Sequence, residues 1–166
     1  MSLKIVFMGT PEFSVPALEA LINNNFEILS IYTQYPKKSK RGQKINVSPV
    51  QKFSEKNNLP VRNPENLNND EEYNFIKNLS ADLAVVVAYG KLIPTNILKT
   101  TKLGFVNIHA SLLPKWRGAA PIQRAIMSGD KKTGVSIMKI EEKLDSGPVL
   151  ASKELVLDQN VIFGEI

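Results

Sequence analysis

The sequence predicts an α/β fold: a Rossmann-like, mainly parallel twisted sheet flanked by helices, with an antiparallel strand pair near the C-terminus. Short apolar runs alternate with segments of helical pattern along most of the chain. The run 82–88 is almost entirely apolar, as expected of a parallel strand covered on both faces. The last two runs flank one short loop, which favours antiparallel pairing. With 166 residues, 43% of them hydrophobic, the chain can bury the core of one domain.

The elements follow from short apolar runs and from capping residues. The predicted strands are 4–8, 26–33, 59–61, 82–88, 103–106, 133–140 and 149–157. The predicted helices are 15–22, 48–57, 66–78, a short one opened by Ile93-Pro94, and 121–127. Ser14 and Ser48 are expected to cap the first two helices, and Gly129 is expected to end the last.

Composition excludes several classes of site. The chain has no cysteine, so disulfides, thiolate metal sites and a cysteine nucleophile are excluded. A single histidine also argues against a histidine-based zinc site, and no metal is expected. The first residues run directly into a strand without the pattern of a signal peptide, and no segment reaches transmembrane length. We therefore expect a cytoplasmic protein without a membrane partner.

The net charge of +5 is concentrated in one polar segment, 35–46. Its basic residues are Lys37, Lys38, Lys40, Arg41 and Lys44. Two interpretations remain open at this point. The segment is either a solvated surface loop or an arm that binds phosphates, because a local cluster of cations attracts a polyanion.

The only histidine, His109, follows the apolar run 103–106 together with Asn107. Side chains two residues apart share one face of a strand, so both should emerge at its C-terminal end, where open α/β sheets bind ligands. An amide donor beside an imidazole suits a carbonyl that becomes tetrahedral. The alternative is a structural Asn and a His that caps a turn. The segments 111–114 and Arg117-Gly118 that follow favour the functional interpretation.

Asp145 lies in a predicted turn, 144–148, after a strand. A carboxylate beside a histidine favours the imidazolium and can relay a proton through water. Glu141 and Glu142 are close in sequence, so position alone does not identify the carboxylate that matters. The alternative role for Asp145 is to stabilise its own turn.

Two other motifs are weaker indications of function. The Gly9-Thr10-Pro11 loop follows the first strand, but the glycine patterns of dinucleotide-binding and P-loop proteins are absent. The loop forms either one wall of a cleft or a tight turn. Ser111 lacks the Gly-x-Ser-x-Gly context and the usual triad order, which disfavours a serine hydrolase.

Seven segments, spread over nearly the whole chain, resemble the folate-dependent formyltransferase family. The matching segments are 7–13, 32–34, 85–90, 107–114, 116–124, 133–138 and 144–147. Asn-x-His, Ser-Leu-Leu-Pro and the downstream Asp mark the family broadly. The Gly-Thr-Pro loop and the Arg-Gly-Ala-Ala-Pro-Ile-Gln-Arg segment favour the branch that acts on tRNA. Related sugar formyltransferases usually differ in both, and glycinamide ribonucleotide transformylase has a first loop richer in Gly, Ser and Asn.

The resemblance implies a reaction without a covalent enzyme intermediate. A formyl group would move from 10-formyltetrahydrofolate to the α-amino group of methionyl initiator tRNA. Asn107 would hold the formyl oxygen, and protonated His109 would stabilise the oxyanion and help protonate the leaving folate nitrogen. Asp145 would orient or charge-pair His109 and assist removal of the amine proton.

The resemblance also assigns binding residues. Folate contacts are implied for Val87, Ala88, Tyr89, Gly90, Leu92, Ser111, Leu112, Leu113, Pro114 and Glu141. The basic segment, Arg41 above all, would contact the tRNA acceptor stem. A monomer is expected.

Two departures from the family pattern remain. Lys143 stands where the family usually has Gly, which puts the local backbone geometry in question. Residues 1–166 are expected to be a catalytic domain cut short near its end, without the C-terminal β-barrel domain that helps hold tRNA.

Two other functions stay open: a formyltransferase acting on an amino sugar nucleotide, and a non-catalytic RNA-binding module that uses the 37–44 segment.

Overall fold

The computed structural model describes residues 2–38 and 45–157. The chain divides into two compact units, Met1–Phe105 and Val106–Ile166. Within the described ranges, no helix combines the length and the apolar character needed to span a membrane.

The first unit is built on four parallel strands in the order β5-β2-β1-β6. These strands are β1 (Lys4–Gly9), β2 (Glu27–Tyr32), β5 (Val61–Arg62) and β6 (Leu83–Val87), and a short antiparallel pair is formed by β3 (Lys37–Lys38) and β4 (Ile45–Asn46). A 3-10 turn, Glu12–Ser14, precedes α1 (Val15–Asn23), and the other helices are α2 (Pro49–Lys56), α3 (Asp70–Asn78) and α4 (Thr95–Leu98). All three strand pairings are parallel, which confirms the prediction of a mainly parallel sheet.

The second unit carries antiparallel strands in the order β7-β8-β9. They are β7 (Phe105–His109), whose first residue is the last of the first unit, β8 (Lys132–Lys139) and β9 (Val149–Val156). The helix α5 (Pro121–Met127) connects β7 to β8. The predicted antiparallel pair near the C-terminus is therefore present as β8 and β9.

The core of the first unit surrounds its central strands. Ile5, Val6, Phe7 and Met8 of β1 are all 1% exposed or less, because a central parallel strand is covered on both faces. The apolar run of β6 is buried in the same way. The nearly continuous hydrophobic pattern of these two strands is what identified them in the sequence.

The strand that leads to His109 begins later than predicted. Gly104 adopts a φ of 85°, which lies outside the β region, so β7 starts at Phe105 and contains both Asn107 and His109. Leu103 lies outside the strand and its side chain is 57% exposed. The strand predicted over 103–106 therefore begins two residues later and ends three residues later than expected.

The two predicted serine caps behave differently. Ser48 caps α2 as expected, because its Oγ accepts from the backbone N–H of Gln51 at 3.0 Å. Ser14 precedes α1 but makes no capping hydrogen bond. Its fully buried Oγ donates instead to the Val87 carbonyl at 2.7 Å, at the end of β6. The prediction that the Ser14 side chain caps α1 was wrong, because its buried hydroxyl bonds the Val87 carbonyl instead of a backbone N–H of the helix.

Candidate active site

Asn107 and His109 occupy alternate positions of β7, so their side chains share one face of the strand. The strand pairs antiparallel with β8, which places Asn107 opposite Met138 and His109 opposite Ser136. His109 is 6% exposed, whereas Asn107 is partly exposed. Within the described residues, the Asn107 side-chain amide has no hydrogen-bond partner. Its N–H groups are therefore available to an incoming acceptor.

The two ring nitrogens of His109 have different surroundings. Nε2 lies 2.9 Å from the backbone carbonyl oxygen of Trp116. Because a carbonyl only accepts, this contact requires a hydrogen on Nε2. Nδ1 faces Asp145 Oδ2 at 3.9 Å, which is too long for a hydrogen bond but close enough to attract a protonated ring. Among the residues that the structure describes, Nδ1 is therefore the ring nitrogen that is free to meet a substrate.

The loop after β8 brings Asp145 to the histidine. Asp145 has a φ of 45°, and its Oδ2 accepts from the Gly118 backbone N–H at 2.7 Å. Glu141 and Glu142 are exposed, so Asp145 is the member of this acidic group placed beside His109. The left-handed positions of the described chain include Asp145 but not Lys143, so a lysine fits there without backbone strain.

Gly147 keeps this loop close to β8. A Cβ at position 147 would collide with the Lys139 backbone carbonyl, so the close approach of the loop requires glycine. The Ser146 hydroxyl also donates to the Lys143 carbonyl at 3.0 Å. The glycine two residues after the aspartate is the sequence signal for this contact.

The segment that follows β7 is held by buried serine hydroxyls. Ser111 Oγ donates to the Lys115 carbonyl at 2.6 Å. Ser136 Oγ donates to the Ser111 carbonyl at 2.7 Å and accepts from the Leu113 N–H at 3.1 Å. The Leu113–Pro114 peptide is cis. Ser111 thus fixes backbone geometry, which agrees with the sequence argument against a serine nucleophile.

In the first unit, two side chains donate hydrogen bonds to the turn that follows β6. Thr10 Oγ1 donates to the Tyr89 carbonyl at 2.9 Å, and Gln34 Nε2 donates to the same carbonyl at 3.1 Å. A Cβ on Gly90, whose φ is 77°, would collide with the Gln34 amide. The Gly9-Thr10-Pro11 loop, for which two roles were open, therefore holds the turn that follows β6.

A cavity of about 450 Å³ adjoins this turn. It is lined by Glu65, Asn66, Leu67, Asn68, Lys91, Leu92 and Pro94. Leu92 is 87% exposed, and the Lys91 ammonium donates to the backbone carbonyl of Glu65 at 2.8 Å. The volume lies within the range of small-molecule sites.

Of the predicted tRNA contacts, Lys37 and Lys38 lie in β3. Lys40, Arg41 and Lys44 lie outside the described residues. Within residues 2–38 and 45–157, no group of three or more His, Asp or Glu side chains is arranged to hold a metal ion. The expectation that no metal is used stays a prediction.

The chain matches known proteins over most of its length. The family model described as formyl transferase matches residues 3–161. The methionyl-tRNA formyltransferase of Pelagibacter ubique is 61% identical over 150 residues, which cover 90% of this chain and 48% of that protein. The methionyl-tRNA formyltransferase of Agrobacterium fabrum is 51% identical over 167 residues and is covered to 54%. The chain thus spans about half the length of the curated relatives it matches.

Solved structures share the fold at lower sequence identity. A phosphoribosylglycinamide formyltransferase from Bacillus halodurans matches with a TM-score of 0.79 and 21% identity, over 98% of this chain and 84% of that one. A formyltetrahydrofolate deformylase from Pseudomonas syringae pv. tomato matches with a TM-score of 0.77 and 17% identity, over 98% of this chain and 54% of that one. At these identities the likeness establishes the fold.

Proposed function

This chain belongs to the formyl transferase family, and on that basis we propose that it catalyses formyl transfer from 10-formyltetrahydrofolate to the α-amino group of methionyl initiator tRNA. The observation that carries the proposal is the arrangement around β7. The Asn107 amide, which has no hydrogen-bond partner among the described residues, shares a strand face with His109, whose Nδ1 lies 3.9 Å from the Asp145 carboxylate. Hydrogen-bond donors next to a group that can hold a positive charge suit a developing oxyanion.

In this reaction Asn107, His109 and Asp145 have separate roles. The amine nitrogen attacks the formyl carbon, and the carbonyl π electrons move to the formyl oxygen to give a tetrahedral oxyanion. Asn107 donates hydrogen bonds to that oxygen, and His109, protonated at Nδ1, donates a second. Asp145 accepts the proton lost by the amine through a water molecule. The carbon bond to the folate nitrogen then breaks, and that nitrogen takes its proton from His109.

The Trp116 carbonyl explains why Nδ1 carries the exchangeable proton in this scheme. Nε2 keeps its hydrogen in the contact with Trp116, so the second proton of the imidazolium resides on Nδ1, the nitrogen that faces Asp145. The carboxylate attracts that proton without a direct hydrogen bond at 3.9 Å. Nδ1 can therefore release its proton to the leaving group.

Folate contacts are proposed for the residues that the resemblance assigned. In the first unit, the turn from Val87 to Gly90 is fixed by side-chain hydrogen bonds, and Leu92 lines the adjoining cavity. A rigid turn next to a cavity of about 450 Å³ supports binding of the donor along 87–92. The contacts proposed for 111–114 and Glu141 in the second unit rest on the resemblance.

The acceptor is proposed from the names of the curated relatives, which are methionyl-tRNA formyltransferases. The basic residues Lys37, Lys38, Lys40, Arg41 and Lys44 are the proposed phosphate contacts. A charged initiator tRNA as acceptor implies a cytoplasmic location. The monomeric state stays a prediction.

A two-acceptor assay tests the proposal. The chain is supplied with labelled 10-formyltetrahydrofolate and either methionyl initiator tRNA or an amino sugar nucleotide. A parallel version carries the C-terminal half of the Pelagibacter relative, because this chain spans about half of that protein. Label is expected on the tRNA, and His109→Ala is expected to reduce its rate by about 10²–10³ in both versions. Transfer to the sugar nucleotide alone would overturn the proposed acceptor.

A further inference from the structure

We infer that Asp130 is a positioning residue for His109 and that it acts through Trp116. The inference rests on the proposed function only in treating His109 as the catalytic histidine. No step of the proposed reaction involves Asp130, and all the contacts that connect it to His109 lie within the second unit.

The Asp130 carboxylate holds the two residues before Arg117. Its Oδ2 accepts from Trp116 Nε1 at 2.7 Å, and its Oδ1 accepts from Lys115 Nζ at 2.7 Å. The Asp130 side chain is 11% exposed, whereas that of Lys115 is 57% exposed. The hydrogen bond from Lys115, followed by that from Trp116, holds the pKa of Asp130 below its ordinary value. Asp130 is therefore ionised at neutral pH and available to both donors.

Asp130 is itself held in place by the end of α5. Gly129 follows the helix with a φ of 65°, and its N–H donates to the Ile126 carbonyl at 2.9 Å. The Asp130 N–H donates to the Ala125 carbonyl at 3.0 Å. Two backbone contacts thus fix the residue that carries the carboxylate.

Trp116 adopts a backbone conformation that needs support. Its φ is 59°, in the left-handed region that a bulky side chain rarely occupies. Residues in such conformations persist when the surrounding contacts determine them. The Trp116 indole N–H donates to Asp130, and the Lys115 ammonium lies 5.3 Å from the centre of the Trp116 ring. The Trp116 carbonyl is the group that accepts from His109 Nε2.

The consequence concerns the proton on the imidazole ring. A carbonyl at Nε2 fixes the tautomer with hydrogen on Nε2 and leaves Nδ1 facing Asp145. If the indole anchor is lost, Trp116 can leave the left-handed region and withdraw its carbonyl. The neutral ring then loses its preference for the Nε2–H tautomer, and Nδ1 is no longer held as the exchangeable site.

Four variants separate this role from the charge of Asp130. Asp130→Ala removes the acceptor, and Trp116→Phe removes the indole donor but keeps an aromatic ring. Asp130→Asn keeps an oxygen that can accept from the indole. Lys115→Met removes the ion pair with Asp130 and the ammonium over the Trp116 ring, but it keeps the indole bond to Asp130. The first two should disturb His109, and the last two should leave it close to wild type.

Because the chain has one histidine, ¹⁵N labelling of histidine gives one pair of ring-nitrogen signals. Spectra at pH 8.5 report the tautomer of the neutral ring directly. The ratio of Nε2–H to Nδ1–H is expected to fall about tenfold in Asp130→Ala and Trp116→Phe, as for the loss of one hydrogen bond. Asp130→Asn and Lys115→Met should keep the wild-type ratio.

Formylation kinetics provide the second measurement. We expect kcat to fall about tenfold in the two disruptive variants with KM for the tRNA unchanged, and Asp130→Asn to restore kcat to within about twofold. A wild-type tautomer ratio in Trp116→Phe overturns the inference, even if Asp130→Ala fails to fold. A shifted ratio in a chain that formylates nothing supports the positioning role and defeats the proposed function, so the two failures are distinguishable.

Discussion

A cluster of polar side chains around Glu72 in the first unit and one around His109 in the second differ in how completely their hydrogen-bonding groups are satisfied. In the first unit, Tyr32 Oη donates to Glu72 Oε2 at 2.7 Å, and Arg62 donates to both carboxylate oxygens, at 2.6 and 3.2 Å. In the second unit, the Asn107 amide has no hydrogen-bond partner among the described residues, and His109 Nδ1 is 3.9 Å from Asp145. We call the first the closed cluster and the second the open cluster.

The comparison shows that pKa shifts alone do not locate a functional site. Burial, followed by the hydrogen bond to Glu72, raises the pKa of Tyr32, and Glu72 raises the pKa of Arg62. Such shifts are typical of active sites but occur in structural networks too. The Arg62 guanidinium also stacks on the Phe75 ring at 4.0 Å. The closed cluster has its groups paired with one another, whereas the open cluster has donors left for a substrate.

The largest difference between the clusters should appear when His109 is removed. His109→Ala is expected to lower formyl transfer by about 10²–10³, because the oxyanion loses a donor. Tyr32→Phe is the matched change in the closed cluster, and it should leave the transfer rate within about twofold. Single-turnover transfer of labelled formyl groups measures both. Comparable losses of transfer rate in the two variants would contradict the assignment of catalysis to the open cluster alone.

The free energy of unfolding should be more sensitive to a substitution in the closed cluster than to one in the open cluster. Glu72→Ala leaves Arg62 and Tyr32 without their shared carboxylate and is expected to cost about 3 kcal/mol of unfolding free energy. Asn107→Ala removes an amide with no described hydrogen-bond partner, so its cost should stay below about 1 kcal/mol. Urea unfolding followed by circular dichroism provides both values. A larger cost for Asn107→Ala would indicate that its amide serves the fold.

A smaller effect is expected from Gly147, which holds the Asp145 loop against β8. A methyl group there meets the Lys139 carbonyl, so Gly147→Ala should cost about 2 kcal/mol. It should also slow formyl transfer about tenfold, because the loop that carries Asp145 must shift. Ser146→Ala is the control, since it loses one exposed hydrogen bond. Equal rates in the two variants would count against a role for the position of Asp145.

The smallest effect concerns pH. The hydrogen bonds from Lys115 and Trp116 lower the pKa of Asp130 in the folded chain. A lowered folded pKa contributes stability above the unfolded value of about 4, and this stability is lost as the pH falls through the folded pKa. Wild type should therefore be slightly more stable than Asp130→Asn at pH 7, and this advantage should shrink as the pH is lowered below about 4. An advantage that stays constant from pH 7 down to the lowest pH at which both proteins fold would refute the ionic contribution.

The alternation of strands and helices could be predicted because it depends on local pattern, and β1 and β6 are nearly continuous apolar runs. The start of β7 could not, because the left-handed φ of Gly104 depends on the turn that it enters. Spacing within one strand likewise predicted that Asn107 and His109 share a face. These parts of the fold and of the site follow from short stretches of chain.

The parts of the site that the sequence did not predict come from contacts between distant segments. The choice of Asp145 over Glu141 depends on the path of the loop after β8. The Trp116 carbonyl reaches His109 through a left-handed residue that no propensity scale favours. Asp130 is anchored 14 residues further along and reaches the indole only in the folded chain. A pattern of side chains in the sequence does not predict which backbone carbonyl will contact the histidine.

The most direct test compares Asn107→Ala with Glu72→Gln in single-turnover formyl transfer to methionyl initiator tRNA, at enzyme concentrations that saturate both substrates. We expect Asn107→Ala to be slower than wild type by about 10²–10³ and Glu72→Gln, once folded, to match wild type. Wild-type transfer by Asn107→Ala would contradict the assignment of the open cluster to the reaction.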